Sequence, residues 1–192
     1  VWVAGLADNG TIDGYSGATA LGIAALEGMN GINSNFTWGQ TFFGQIPGSI
    51  GETSTFLILL AGAYMVYTKI ASWRIIFGTL AGMIVMSSAL NLIGSETNPM
   101  FAIPWYWHLT IGSFAFGLVY MATEPVSAAN TNMGRWIYGI SIGVIVVLIR
   151  VINPAFPEGM MLAILFANLL APAIDFTITS LNTSRRMERY NS

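Results

Sequence analysis

The chain has 192 residues, of which 54% are hydrophobic and 8% are charged, and its formal net charge is −2. Soluble domains carry about 25% charged residues, so this composition indicates a membrane protein, and the net charge gives no electrostatic case for nucleic-acid binding. There is no cysteine and one histidine, which excludes disulfides, thiolate-bound iron–sulfur clusters and a multi-histidine metal site within this chain.

Residues 1–52 mix polar and apolar segments and are predicted to form an outer segment ahead of a membrane bundle. The chain opens at Val1 inside an apolar run and without an initiator methionine, so we interpret it as part of a longer protein. The apolar stretch 18–29 predicts a helix of about three turns, too short for a bilayer core that needs roughly 20 residues. Trp38 and Phe43 then suit the aromatic zone of a membrane–water interface.

The heptad Asp13-Gly14-Tyr15-Ser16-Gly17-Ala18-Thr19 ends on a hydroxyl that is surrounded by small residues. Gly17 and Ala18 leave room around Thr19, and Gly14 allows a turn ahead of it. Such a hydroxyl suits a transferase that must close over its acceptor. The alternative is a plain glycine-rich turn that leads into the short helix.

Five apolar runs follow, each near the length that crosses a bilayer, at 53–68, 75–93, 105–123, 136–152 and 160–177. They predict an all-α membrane protein with a five-helix bundle over 53–178 and a tail over 179–192. Gly78-x-x-x-Gly82 and Gly139-x-x-x-Gly143 favour close contact between helix backbones.

Basic residues lie on one side of this predicted bundle. Six of the seven fall in the connections after the first and third runs or behind the fifth, namely Lys69, Arg74, Arg135, Arg185, Arg186 and Arg189. The positive-inside rule assigns that side to the cytoplasm. Thr19 precedes the first run and is therefore predicted on the outer side. Arg150 falls at a helix end on that outer side.

Two acids are candidates for cation handling. Asp175 follows a stripe of alanines at every fourth position of the fifth run, where Pro172 leaves a backbone carbonyl without its helical donor. Ionised groups inside membrane helices are functional candidates by default, and carboxylate oxygens are suitable ligands for a small hard cation. Glu124 lies at the same end of the third run. For both, the alternative is a boundary acid that faces water. His108 is expected at the outer interface rather than in catalysis.

Several segments, in order, carry a resemblance to a known family. Besides the heptad, they are Pro47 through Ser54, Lys69 through Arg74, Phe114 through Gly117, Met121 through Ser127, and Ile149 through Asn168. From about residue 13 to its end the chain is similar to the B subunits of Na+-translocating NADH:quinone oxidoreductases. The paralogous D subunits of Rnf complexes share the heptad and the Gly-Ser-Ile-Gly-Glu-Thr block, but the Ala20-Leu21 pair and the long match after residue 100 favour the B subunits.

The resemblance implies a covalent flavin. In the family, a flavin transferase outside the cytoplasm joins FMN through a phosphoester to the last hydroxyl of the motif Asp-x-x-Ser/Thr-Gly-Ala-Thr/Ser. Thr19 matches that hydroxyl, and Asp13, Ser16, Gly17 and Ala18 match the motif ahead of it. Lysines and arginines are absent near Thr19, so the phosphate is expected to use backbone donors, such as a helix N-terminus, or another subunit.

The resemblance also implies the wider setting: a bacterial inner-membrane complex of several subunits that passes electrons from NADH to quinone and exports Na+. This piece would be the second of two related five-helix repeats, with a riboflavin elsewhere in the subunit and quinone bound mainly by the preceding half. Acids matching Asp175 and Glu124 are assigned to sodium uptake, although the family often has aspartate where Glu124 stands. A secondary transporter and a structural subunit without cofactor are alternative classes; only a redox subunit explains the Thr19 motif.

Overall fold

The computed structural model describes residues 19–95, 97–153 and 156–191, which form helices and turns and contain no strand. The helices are α1 (Ala20–Asn35), α2 (Trp38–Phe43), α3 (Thr55–Tyr67), α4 (Trp73–Ile93), α5 (Trp105–Thr110), α6 (Phe114–Phe116), α7 (Asn132–Ile152) and α8 (Met160–Asn191). A 3-10 turn, Pro99–Ala102, precedes α5, and a π-helical turn, Gly117–Met121, follows α6. The prediction of an all-α membrane protein is confirmed.

Three of these helices, α4, α7 and α8, are long and apolar enough to cross a membrane. They correspond to the second, fourth and fifth predicted runs. The first run forms α3, which has 13 residues and is therefore about 20 Å long, shorter than the roughly 30 Å of a hydrocarbon core. The fifth run is longer than predicted, because α8 has 32 residues and continues as one helix through the segment that was predicted to be a tail.

The third run, 105–123, is not the single helix that its hydropathy predicts. α5 ends at Thr110, and the helical path resumes only at Phe114. Between them Gly112 has a φ of 68°, a left-handed conformation that glycine adopts at little cost and that ends an α-helix. The prediction of a continuous helix here is wrong, because hydropathy does not show that the backbone turns at this glycine.

The first helix begins close to its predicted start but extends further. The apolar stretch predicted a helix over 18–29, yet α1 continues to Asn35 with one kink at Gly28, where φ is 63° and ψ is −146°. A β-carbon at Gly28 would lie 2.6 Å from the Pro99 β-carbon. The kink therefore allows the 3-10 turn at Pro99 to pack directly against α1.

The tightest helix pair is α4 with α7. Gly78 and Gly82 on α4 face Gly139 and Gly143 on α7, and a β-carbon at Gly139 would lie 2.7 Å from the carbonyl oxygen of Ile75. The two backbones therefore touch, as the small-residue spacing predicts. α8 also packs against α7, and the alanines of its stripe, Ala163, Ala167 and Ala171, are 0–3% exposed.

Candidate functional site

Thr19 is the N-cap of α1 and is exposed. Its Oγ1 accepts a hydrogen bond from the amide of Gly22 at 3.1 Å. The first turn of a helix leaves several amides without helical acceptors, so the amides of Ala20 and Leu21 point the same way and favour an anion. The other predicted motif residues lie outside the described residues: Asp13, Ser16, Gly17 and Ala18.

A shallow depression of about 20 Å³ lies beside Thr19 and is lined in part by Gly48, Glu52, Gly112 and Glu158. Sites that enclose a cofactor-sized ligand have volumes of about 300–1,000 Å³. The depression beside Thr19 is therefore too small, within the described part of the chain, to enclose a ligand of that size.

The break in the third run lies next to this depression and is stabilised by a buried arginine. Arg150, in the last turn of α7, is fully buried. Its Nη1 donates to the carbonyl of His108 at 2.7 Å, and its Nη2 donates to the carbonyl of Ile111 at 3.1 Å. Carbonyls at the end of a helix lack intrahelical donors, so the planar guanidinium, with several donors in fixed geometry, replaces the missing helical hydrogen bonds.

Glu158 stabilises the opposite side of the same break. Its Oε2 accepts hydrogen bonds from the amide and the hydroxyl of Ser113 at 3.0 and 2.8 Å. A β-carbon at Gly112 would lie 2.8 Å from this Oε2 and 3.1 Å from Nη2 of Arg150. Position 112 therefore requires glycine for two reasons. Its backbone is in the left-handed region, and the two charged groups leave no room for a β-carbon.

His108 does not lie at the membrane–water interface as predicted. Its side chain is 1% exposed, and its Nδ1 has no hydrogen-bond partner among the described residues. The prediction was wrong because α5 turns into the bundle at the break, so the outer end of the third run is buried beside the last turn of α7.

Asp175 contacts the N-terminus of α7. Its Oδ2 accepts from the amide of Asn130 at 2.6 Å, and its Oδ1 accepts from the amide and hydroxyl of Thr131 at 3.0 and 2.6 Å. Thr131 is itself the N-cap of α7, with its hydroxyl accepting from the amide of Gly134. The carboxylate thus uses three of its roughly four acceptor positions at a helix end that favours negative charge.

Glu124 stabilises the start of the same connection. Its carboxylate accepts from the hydroxyl and amide of Ser127 at 2.6 and 2.8 Å and from the amide of Val126 at 2.9 Å. These hydrogen bonds, above all that from the Ser127 hydroxyl, lower the pKa of Glu124 below its usual value. Asp175 and Glu124 therefore both bind the loop between the π-turn and α7. No cluster of three acidic, histidine or cysteine side chains occurs in the described ranges.

Thr19 and the loop acids lie at opposite ends of the bundle. Thr19 neighbours Glu158, which comes just before α8 begins. Asp175 lies half-way along α8 and contacts the residues just before α7 begins. Since α7 and α8 run antiparallel through a short connection, the start of α7 and the distal half of α8 share the end that is remote from Thr19.

Comparison with known proteins assigns the chain to a family. The sequence model of the NQR2, RnfD, RnfE family matches residues 1–183. The chain belongs to the NQR2, RnfD, RnfE family.

Three relatives within this family are each named as the B subunit of a Na(+)-translocating NADH-quinone reductase. Those of Stutzerimonas stutzeri and Azotobacter vinelandii are each 60% identical over 179 residues, which is 93% of this chain and 44% of each relative. That of Neisseria meningitidis serogroup B is 57% identical over 185 residues, or 94% of this chain and 45% of the relative. The chain thus spans less than half the length of the curated relatives it matches.

Two residues of this NQR2, RnfD, RnfE family member were missed as a pair by sequence reasoning, Arg150 and Glu158. Arg150 was predicted only at a helix end on the outer side, and Glu158 was given no role of its own. The sequence indicates the pair only through an arginine near the end of the apolar run 136–152 and a glycine within the run 105–123. That signal does not identify which carbonyls the arginine binds, because His108 is 42 positions away along the chain.

Proposed function

We propose that this chain is the C-terminal part of the B subunit of a Na+-translocating NADH–quinone reductase and that it carries covalent FMN on Thr19. The proposal rests on sequence identity: over more than nine tenths of its length the chain is 57–60% identical to relatives with that name. The exposed hydroxyl of Thr19 at the N-terminus of α1 supports the attachment site. A Rnf D subunit is the paralogous alternative.

FMN, when bound, supplies one- and two-electron transfer. The chain's own residues would hold it: the Thr19 oxygen would carry the phosphoester, and the amides of the first turn of α1 would donate to the phosphate. Glu52 and Glu158 line the adjacent depression, so their negative charge keeps the phosphate out of it and on the helix end. The exposed position of Thr19 leaves the ring accessible to a redox partner, which the small depression itself cannot enclose.

The wider assignment is part of the same proposal, and the position of the basic residues supports its sidedness. We place the protein in the bacterial inner membrane, with Thr19 on the periplasmic side and the loop acids on the cytoplasmic side. Its partners are the other subunits of the complex and the flavin transferase. Riboflavin is assigned to the protein by family resemblance, and quinone chiefly to the half that precedes this chain.

Sodium is the transported substrate in this proposal, and Asp175 and Glu124 take part in its entry. Both are carboxylates at the predicted cytoplasmic end, and both are held by hydrogen bonds to one loop. Asp175 retains about one free acceptor position, through which its charge can contact a cation.

A secondary transporter without flavin is the competing class, favoured by the broken third run, since discontinuous helices near charged groups are common in transporters. Flavin attachment decides between the two. A transporter gives no fluorescent band in a denaturing gel, whereas covalent flavin survives denaturation and fluoresces.

We predict that Thr19→Ala abolishes flavin attachment in the full-length protein that is co-expressed with its transferase. Mass spectrometry of the peptide that contains Thr19 should show the added FMN in the wild type and in Thr19→Ser, but not in Thr19→Ala. Thr37→Ala is the matched control, because Thr37 is also an exposed N-cap, of α2, and its loss should leave the flavin in place. An unmodified Thr19 peptide from active wild-type complex contradicts the proposal.

A further inference from the structure

A cavity of about 550 Å³ opens at the end of the bundle remote from Thr19, where α3 ends and α4 and α7 begin. Three cationic side chains line it, those of Lys69, Arg74 and Arg135. No proposed redox or sodium step uses this cavity. A concave site with three positive charges favours an anionic ligand.

The positive charge of the cavity is poorly neutralised by the chain itself. Among the described residues, no carboxylate oxygen lies within 4.0 Å of Lys69 or Arg74. Arg74 lies over the ring of Trp73, with Cζ 4.8 Å from the ring centroid, a contact that fixes the guanidinium without cancelling its charge. Arg135 is engaged by the chain itself, since its Nε donates to the carbonyl of Ala129 at 3.3 Å and it interacts electrostatically with Asp175. The unneutralised charge of the cavity is therefore that of Lys69 and Arg74.

Lys69 occupies a backbone position that usually favours glycine. Its φ is 62°, and it is the one non-glycine residue with positive φ in the described ranges. It ends α3 in a Schellman arrangement, in which the amide of Ile70 donates to the carbonyl of Met65 at 2.9 Å and the amide of Lys69 to that of Val66 at 3.0 Å. A strained residue at such a position indicates that its side chain is needed there.

The start of α4 adds polar groups to the same cavity. Ser72 is the N-cap of α4 but makes no capping bond, and its Oγ is buried without a hydrogen-bond partner among the described residues. Ser72 also lines the cavity. Its free hydroxyl and the free amides of a 21-residue helix are suited to the oxygens of a phosphate.

The surroundings of the cavity are apolar and exposed. Trp73 is 44% exposed and Ile70 is 62% exposed, and Phe77, one turn further along α4, is 56% exposed. α4 and α7 are both candidate membrane spans, so the cavity lies where a span meets the polar head-group zone, and exposed apolar side chains continue from it toward the membrane interior.

We propose that this cavity binds the phosphate of an anionic phospholipid head group, whose acyl chains lie along the exposed face of α3 and α4. Basic pockets between membrane helices bind such head groups. The lipid supplies the negative charge that the chain lacks, and Trp73 lies at the boundary between head group and acyl chain, the depth that tryptophan prefers. This proposal depends only on the membrane fold and is independent of flavin attachment and of sodium transport.

The test uses the full-length protein, purified in a neutral detergent, stripped of lipid and titrated with phosphatidylglycerol while bound lipid is counted by native mass spectrometry. Each basic residue near a membrane surface contributes about 1 kcal/mol, equivalent to about fivefold in affinity. We expect Lys69→Gln with Arg74→Gln to weaken the tightest lipid site roughly 25-fold. Arg185→Gln with Arg186→Gln removes the same charge from exposed positions of α8 and should leave that site unchanged.

The variant Lys69→Gly distinguishes an effect on lipid binding from an effect on the stability of the fold. Glycine adopts a positive φ without strain, so this variant should raise the melting temperature relative to Lys69→Gln while weakening lipid binding equally. Equal losses in the α8 control, or unchanged lipid binding in the double variant, overturn the proposal. Binding of inorganic phosphate that depends on Lys69 and Arg74, with phosphatidylglycerol binding unaffected by them, overturns the lipid assignment in favour of a free anion.

Discussion

Arg150 and Gly112 act together at the point where the third apolar run breaks. The glycine allows the turn, and the guanidinium binds the carbonyls that the turn leaves exposed inside the bundle. A charge in a membrane helix is costly unless it is paired or hydrogen-bonded. The observed contacts account for an arginine that is fully buried.

We predict that Arg150→Gln destabilises the protein by about 3 kcal/mol, because a glutamine cannot reach both carbonyls and a buried unsatisfied group costs about 1–3 kcal/mol. Thermal unfolding of the purified protein measures this. Arg150→Lys should be intermediate, since it keeps the charge but not the fork of donors. Arg186→Gln is the exposed control and should change little; an equal loss there would contradict the account of the break.

Asp175 has two roles, which substitutions of single residues can separate. It stabilises the start of α7 through Thr131, and it is proposed to contact sodium. We predict that Asp175→Asn raises the sodium concentration for half-maximal quinone reduction by about tenfold, because a charge-assisted contact contributes about 1.5–3 kcal/mol and 1.4 kcal/mol corresponds to tenfold.

The matched control for this prediction is Thr131→Val, which removes a hydrogen bond to the same carboxylate without removing the carboxylate. It should lower the melting temperature, yet leave the sodium dependence near that of the wild type. If both variants shift the sodium dependence equally, Asp175 acts only through the structure of the loop.

At the scale of elements, the contact of α4 with α7 holds the bundle together. Glycines occupy the positions where α4 and α7 cross, so the two backbones approach within van der Waals distance. In a membrane, where lipid competes for apolar side chains, close backbone packing of this kind is a main source of helix association. The remaining membrane helix, α8, attaches through its alanines and keeps large apolar residues exposed on its other face, such as Leu169 and Phe176, each 76% exposed.

We predict that Gly143→Ala destabilises the protein by about 1–3 kcal/mol, the usual cost of overpacking a close contact. The added methyl group would overlap the carbonyl oxygen of Thr79 on α4. Gly39→Ala, in α2, is the control, because a β-carbon there meets no atom within 4 Å. Comparable melting temperatures for the two variants would contradict the proposed helix contact.

At the scale of the whole molecule, the two chemical sites lie at opposite ends of the bundle. Thr19 lies with Glu158 at one end, and the basic cavity and Asp175 lie at the other. Three of the basic residues that the sequence assigned to one side, Lys69, Arg74 and Arg135, line a single cavity. The roles proposed for Thr19 and Asp175 therefore fall at opposite ends of the bundle.

We predict that single cysteines at Ser49 and Ser184, both exposed, react with an impermeant reagent from opposite sides of sealed vesicles. A cysteine at Thr68, at the end of α3, should react from the same side as Ser184 if α3 and its flanking turns cross the membrane. Reaction of Thr68 and Ser49 from one side would show that the short α3 does not cross.

The sequence by itself determined the class of the protein, because hydropathy and charge are sums over neighbouring residues. It placed α4, α7 and the start of α8 nearly as observed, located the start of α1 within a residue or two of Ala20, and indicated that the glycines of α4 and α7 lie in close helix contacts. These features depend on neighbouring residues alone, because in a membrane an apolar run of sufficient length must form its own backbone hydrogen bonds, as a helix does.

Only the tertiary structure decided the break at Gly112, the burial of His108 and the contacts of Asp175. Each depends on partners far along the chain, since Arg150 binds a carbonyl 42 positions away and Asp175 binds an amide 45 positions away. Hydropathy predicted one helix over 105–123, because an apolar run has the same composition whether its backbone is satisfied internally or by a distant guanidinium. Long-range hydrogen bonds of single polar side chains leave no periodic pattern, so packing rather than composition determines them.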